Sequence, residues 1–104
     1  MEFEINNTKW KIELVSKDQM KLQADNDYTL GLTIYSEQRI LLNESQANII
    51  KTLKHELAHV WLYEYGHSQN EKGYNYEEVC EIVSSSNNFI NEIVKKYMEV
   101  KKGE

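Results

Sequence analysis

Residues 49–66 read Ile49-Ile50-Lys51-Thr52-Leu53-Lys54-His55-Glu56-Leu57-Ala58-His59-Val60-Trp61-Leu62-Tyr63-Glu64-Tyr65-Gly66. At 100° per residue, Ile49, Ile50, Leu53, Leu57, Val60, Trp61 and Glu64 fall on one broad stripe, apolar except for Glu64, so the stretch predicts an amphipathic helix. Asn43 or Ser45 is expected to cap it, because a short side-chain oxygen accepts from an unpaired N–H of the first turn. Gly66 is expected to stop it, since glycine takes the left-handed conformation that ends helices. His55 and His59 lie four residues apart, about one turn, so both imidazoles leave the same face. Two neutral imidazoles so placed can bind one Zn²⁺, whose preferred geometry is tetrahedral. Glu56 stands 100° further round, where it can meet a water on the metal without taking a coordination position.

His55-Glu56-Leu57-Ala58-His59 is thus the H-E-x-x-H pattern of zinc peptidases, two ligands and a general base. In this composition the pattern arises by chance in roughly one such chain in a hundred. A catalytic zinc needs a third protein ligand and an open position. The metzincin extension would require glycine at 62 and histidine at 65; Leu62 and Tyr65 stand there. His67, just past Gly66, reads as a substrate or oxyanion contact, or as a plain loop histidine. Another source of the ligand is the acidic run Tyr76-Glu77-Glu78-Val79-Cys80-Glu81 at the start of a second helix, although acids also favour helix N-termini through the macrodipole. Helical angle leans to Glu78, which flanks the apolar face. Cys80 reads as a buried structural cysteine sooner than as a ligand.

The segment resembles the gluzincins, in which the glutamate ligand is followed four residues later by an acid or amide that braces a ligating histidine. Glu77 and Glu81 have that spacing. More narrowly, His55-Glu56-Leu57-Ala58-His59 with Glu77-Glu78-Val79-Cys80-Glu81-Ile82-Val83-Ser84, and Trp61-Leu62-Tyr63-Glu64-Tyr65-Gly66 between them, is similar to the ImmA/IrrE-type metallopeptidases and small phage-borne relatives. The resemblance spans about residues 38–90. It implies a Zn²⁺ site of His55, His59 and Glu77, with Glu56 catalytic. It also implies an endopeptidase acting on a protein or peptide, such as a phage or mobile-element regulator. The competing readings are a non-catalytic regulator that keeps the zincin fold, and a helical binding module with an accidental motif.

Outward from the motif, the first half reads as strands. These are Phe3–Ile5, an alternating run with Trp10, Ile12 and Leu14 on one buried face, Leu30–Tyr35 and Arg39–Leu42. Asn6-Asn7 is a hairpin turn and Asp25-Asn26-Asp27 a turn. Residues 16–28 have no clear assignment. Residues 67–75 read as a polar loop. Tyr76 to about Val100 is a second helix with Val79, Ile82, Val83, Ser86, Phe89, Ile90, Ile93, Val94 and Tyr97 on its apolar face. The expected class is α+β: a small antiparallel sheet, then two long helices, as one domain over 1–104. Arg39–Leu42, directly ahead of the motif helix, is the candidate edge strand for pairing an extended substrate, unless both its sides are paired. Tyr63, Tyr74, Tyr76 and His67 are candidates for steadying an oxyanion.

Composition bounds the partners. The net charge of −5, from 12 basic and 17 acidic residues, argues against a nucleic-acid backbone, which needs a dense basic surface. Lys95, Lys96, Lys101 and Lys102 form the one basic cluster and read as a solvated helix face. No apolar stretch approaches the roughly 18 residues of a membrane helix. One cysteine permits no internal disulfide, and the start has no signal-like run, so a cytoplasmic protein is expected. The oligomeric state is open.

Overall fold

The computed structural model describes residues 1–26, 28–66 and 76–104, and for Tyr76 and Val79 the backbone only. Strands β1 (Glu2–Ile5) and β2 (Thr8–Val15) form an antiparallel hairpin. Asn6 and Asn7 turn it with φ of 50° and 60°, a two-residue turn whose positive φ at both positions asparagine tolerates. Helix α1 (Lys17–Ala24) follows, then β3 (Gly31–Ile34), a short 3₁₀ turn (Tyr35–Glu37) and β4 (Arg39–Asn43). Helices α2 (Ile49–Glu64) and α3 (Tyr76–Lys102) complete the order. The α+β class is as expected.

The sheet order is β1-β2-β4-β3. β3 pairs antiparallel with β4, and β4 pairs parallel with β2. The sheet is therefore mixed, not antiparallel as expected. The cause is α1, which had no assignment in the sequence. Parallel neighbours need a crossover of a dozen or more residues, usually through a helix, and 16–38 supply it. α1 is polar and buries only Met20, so it carries no apolar period. Its readable signal is the cap: Ser16 Oγ accepts from the Gln19 N–H and Gln19 Oε1 accepts from the Ser16 N–H, the S-x-x-Q form of the capping box.

The main core lies on one face of the sheet. Phe3, Ile5, Trp10, Ile12, Ile40 and Leu42 meet Leu53, Leu57 and Val60 of α2 and Ile93, Val94 and Tyr97 of α3. Leu41 points the other way, as strand alternation requires, and is buried with Met20 outside that cluster, where α1 packs on β4. The cap of α2 is Asn48, whose Oδ1 accepts from the Lys51 N–H, and neither Asn43 nor Ser45. The buried Asn43 is engaged elsewhere: its Oδ1 accepts from the backbone and hydroxyl of Ser45. Gly66 ends α2 at φ 78° as expected.

α3 runs antiparallel to α2. Phe89 meets Trp61 near the end of α2, with ring centroids 5.6 Å apart, while Val94 and Met98 line a groove with Ile49 and Ile50 at its start. The first turns of α3 therefore run past the end of α2. Val83, expected on the apolar face, is 60% exposed, and Cys80, expected to be buried, is exposed. Of the described residues, no helix is long and apolar enough to cross a membrane.

Candidate active site

α2 and β3 run side by side in the same direction and form the two walls of a cleft. Strand alternation turns Gly31, Thr33 and Tyr35 toward the helix. Opposite them, Thr52, Glu56 and Tyr63 lie within a narrow azimuth of α2. The pairings are direct. A Cβ on Gly31 would lie 2.6 Å from Thr52 Cγ2 and 3.0 Å from Glu56 Cγ. Thr33 Oγ1 donates to Glu56 Oε1 at 2.9 Å. The Tyr35 and Tyr63 rings meet at 4.7 Å.

Gly31 is what permits this approach, because no larger residue fits between β3 and α2. Gly31→Val is expected to push Glu56 and Thr52 aside and to lower stability by about 1–3 kcal/mol, the usual cost of overpacking. A fall in urea midpoint at unchanged m would report it; an unchanged midpoint would mean that the two side chains give way freely.

His55 and His59 stand on the solvent side of this row, both exposed. Their Nε2 atoms are 3.1 Å apart and their rings cross at 76°. Two nitrogens on one tetrahedral zinc at 2.0–2.1 Å would be roughly 3.3 Å apart. The separation of the two imidazole nitrogens is thus close to what a shared metal needs. Glu56 is buried, at 7% exposed, and is fixed by Thr33. It lines, with His55, a groove of about 740 Å³ that also takes in Thr29, Leu30, Asn48 and Lys51.

The third predicted ligand is not brought to this pair. Among the described residues no three His, Cys, Asp or Glu side chains gather at metal-binding distance. Glu77 and Glu78 are exposed, as is Glu81. Glu77 lies twelve residues before Phe89, about 18 Å along the helix axis, which carries it beyond the end of α2. His67, Tyr74 and the rest of the 67–75 loop lie outside the described residues, as do Asp27 and the Tyr76 side chain.

The candidate edge strand is also corrected. β4 is paired on both sides, by β2 and by β3, so Arg39–Leu42 offers no open edge. Among the described residues β1 and β3 are the two edge strands of the sheet, and the one that packs along the histidine helix is β3. Tyr35, at its end, was not legible as a site residue. Burial and then the nearby Glu56 carboxylate, with Tyr63, raise its phenol pKa, so the hydroxyl keeps its proton at neutral pH. The usable signal was the alternation of 31, 33 and 35 toward the helix.

Comparison with curated proteins and with solved structures finds no match. The model of the SprT-like family does match, over residues 3–97. That span runs from the first strand of the sheet, through the histidine helix, to the last buried residue of α3. With nearly the whole fold and the candidate site inside the match, the chain belongs to the SprT-like family, within a zinc metallopeptidase-like superfamily.

Proposed function

We propose that this protein is a zinc-dependent endopeptidase acting on a protein substrate, with a phage or mobile-element regulator as the class of target. The observation that carries the reading is the His55–His59 pair, 3.1 Å between Nε2 atoms, on the unbroken helix α2 and joined there by the buried Glu56. His55 and His59 hold the metal. Glu77 is proposed as the third ligand on its gluzincin-like spacing to Glu81 alone, since α3 as it stands carries it past the end of α2. Bound zinc supplies Lewis acidity and a lowered water pKa.

The chain's own groups do the rest. Glu56 takes the proton of the attacking water and passes it to the leaving amine. Thr33 holds one oxygen of that carboxylate and so fixes the side chain. β3 receives the substrate as an added strand through main-chain hydrogen bonds. Gly31 keeps strand and helix close enough for both tasks.

Protein purified without added zinc is expected to carry about one equivalent of metal per chain. It is expected to cleave a mixture of unstructured peptides, to lose that cleavage on chelation and to regain it with zinc. Metal near zero under gentle preparation would sink the site. Glu77→Ala should weaken metal binding where Glu78→Ala does not. Loss with Glu78→Ala alone would move the ligand by one residue, and loss with neither would put the third donor elsewhere in the chain.

A further inference from the structure

Two tyrosines at the far end of the cleft have no part in the chemistry above. Tyr35 is 37% exposed and Tyr63 is 38% exposed. Their rings pack together at 4.7 Å, tilted by 39°. Each also meets the buried Trp10 edge-on, at 6.5 Å and 6.3 Å. Trp10 is itself tied down, since its indole N–H donates to Glu64 at 2.8 Å. The pair is therefore half-open to solvent in front and held from behind. Rings fixed in this way offer contact area at little cost in side-chain entropy.

Their place along the cleft matters more than their exposure. Tyr63 follows His59 by one turn, and lies six residues beyond the midpoint of the two histidines. That is about 9 Å along the helix axis, or close to three residues of extended chain. Tyr35 directly follows β3, which no other strand among the described residues pairs on its outer side. Because β3 and α2 run in the same direction, a peptide added to that edge would be carried along the helix from the level of Thr52 and Glu56 to that of the rings.

We propose that the Tyr35–Tyr63 pair is a substrate subsite that receives an aromatic or large aliphatic side chain two or three residues from the scissile bond. The proposal rests on the peptidase reading. In it, the pair selects and aligns substrate and takes no part in proton transfer.

The test uses the zinc-loaded full chain and a peptide mixture read by mass spectrometry. Cleaved peptides should be enriched in Phe, Tyr or Leu at the second or third residue on one side of the cut. Tyr35→Ala and Tyr63→Ala should each lower kcat/KM for such peptides by about tenfold, the scale of one apolar side chain in a pocket. Tyr63→Phe should restore it, because the ring and not the hydroxyl makes the contact. Cleavage without enrichment would overturn the subsite and leave the peptidase reading standing, as would enrichment that survives both alanine variants with native circular dichroism.

A second arm needs no turnover. Glu56→Gln protein is titrated with a Phe-containing hexapeptide and with its Phe→Ala counterpart, while the tyrosine ring signals are followed by NMR. Shifts at Tyr35 and Tyr63 with the first peptide alone support the site. If they occur while the wild type cleaves nothing, the peptidase reading fails and the peptide-binding site remains. No shift with either peptide overturns the subsite.

Discussion

Glu56→Gln is expected to leave metal content unchanged and to lower cleavage by about 100-fold or more, the range for losing a positioned general base. The substitution suits the site. Glutamine has the same length, and its amide oxygen can still accept from Thr33 Oγ1, the 2.9 Å bond that fixes the side chain. What it lacks is the capacity to take a proton. Because Glu56 is buried at 7% exposure and packed against Gly31, a smaller replacement such as alanine would add a cavity and confuse the result. Circular dichroism and metal analysis of Glu56→Gln separate lost chemistry from lost structure. If cleavage, or any biological activity of the protein, survives this change intact, Glu56 is not the base. The reading of a non-catalytic regulator that keeps the zincin fold would then be the better one.

Much of this site was readable because its geometry is local. The separation of His55 and His59 follows from the helix repeat, and the repeat was visible in Leu53, Leu57 and Val60, all fully buried. The partners of Glu56 were not readable. Thr33 and Gly31 lie more than twenty residues away, and they meet α2 because β3 takes its place next to β4 against that helix. That position depends on the parallel pairing of β2 with β4, which depends on α1. A helix that buries one residue leaves almost no apolar signature, and its capping box was the only cue to the topology. The burial of α3 failed for a related reason. Apolar periodicity reports a face that can be buried, and at Val83 and Cys80 the described residues place no element over that face. Ile93, Val94 and Tyr97 show the same periodicity and are buried, because α2 and the sheet lie against them.

Trp10→Ala is expected to have the largest effect on stability. Trp10 is fully buried in the first half of β2, packed near Phe3 and near the tyrosine pair. Truncating a buried tryptophan costs about 3–5 kcal/mol, a large share of the 5–15 kcal/mol typical of a whole domain. The change also takes the donor from Glu64, in the last turn of α2. Trp10→Phe separates the two contributions. It keeps most of the ring volume and removes the N–H, so it should cost about 1.5–3 kcal/mol, the range for a hydrogen bond to a charged group. Urea denaturation would show both as lower midpoints at similar m. A cost near zero for Trp10→Phe would mean that Glu64 finds water as readily as the indole. A cost under about 1 kcal/mol for Trp10→Ala would contradict its place in the core. The link to function is through the same contacts. Trp10 joins the end of α2 to the middle of the sheet, and it backs the rings of Tyr35 and Tyr63. At a temperature where Trp10→Phe is still folded, any loosening of that junction should appear in KM for peptides that reach the tyrosines before it appears in kcat, since Glu56 and the histidines lie one to two turns nearer the start of the helix.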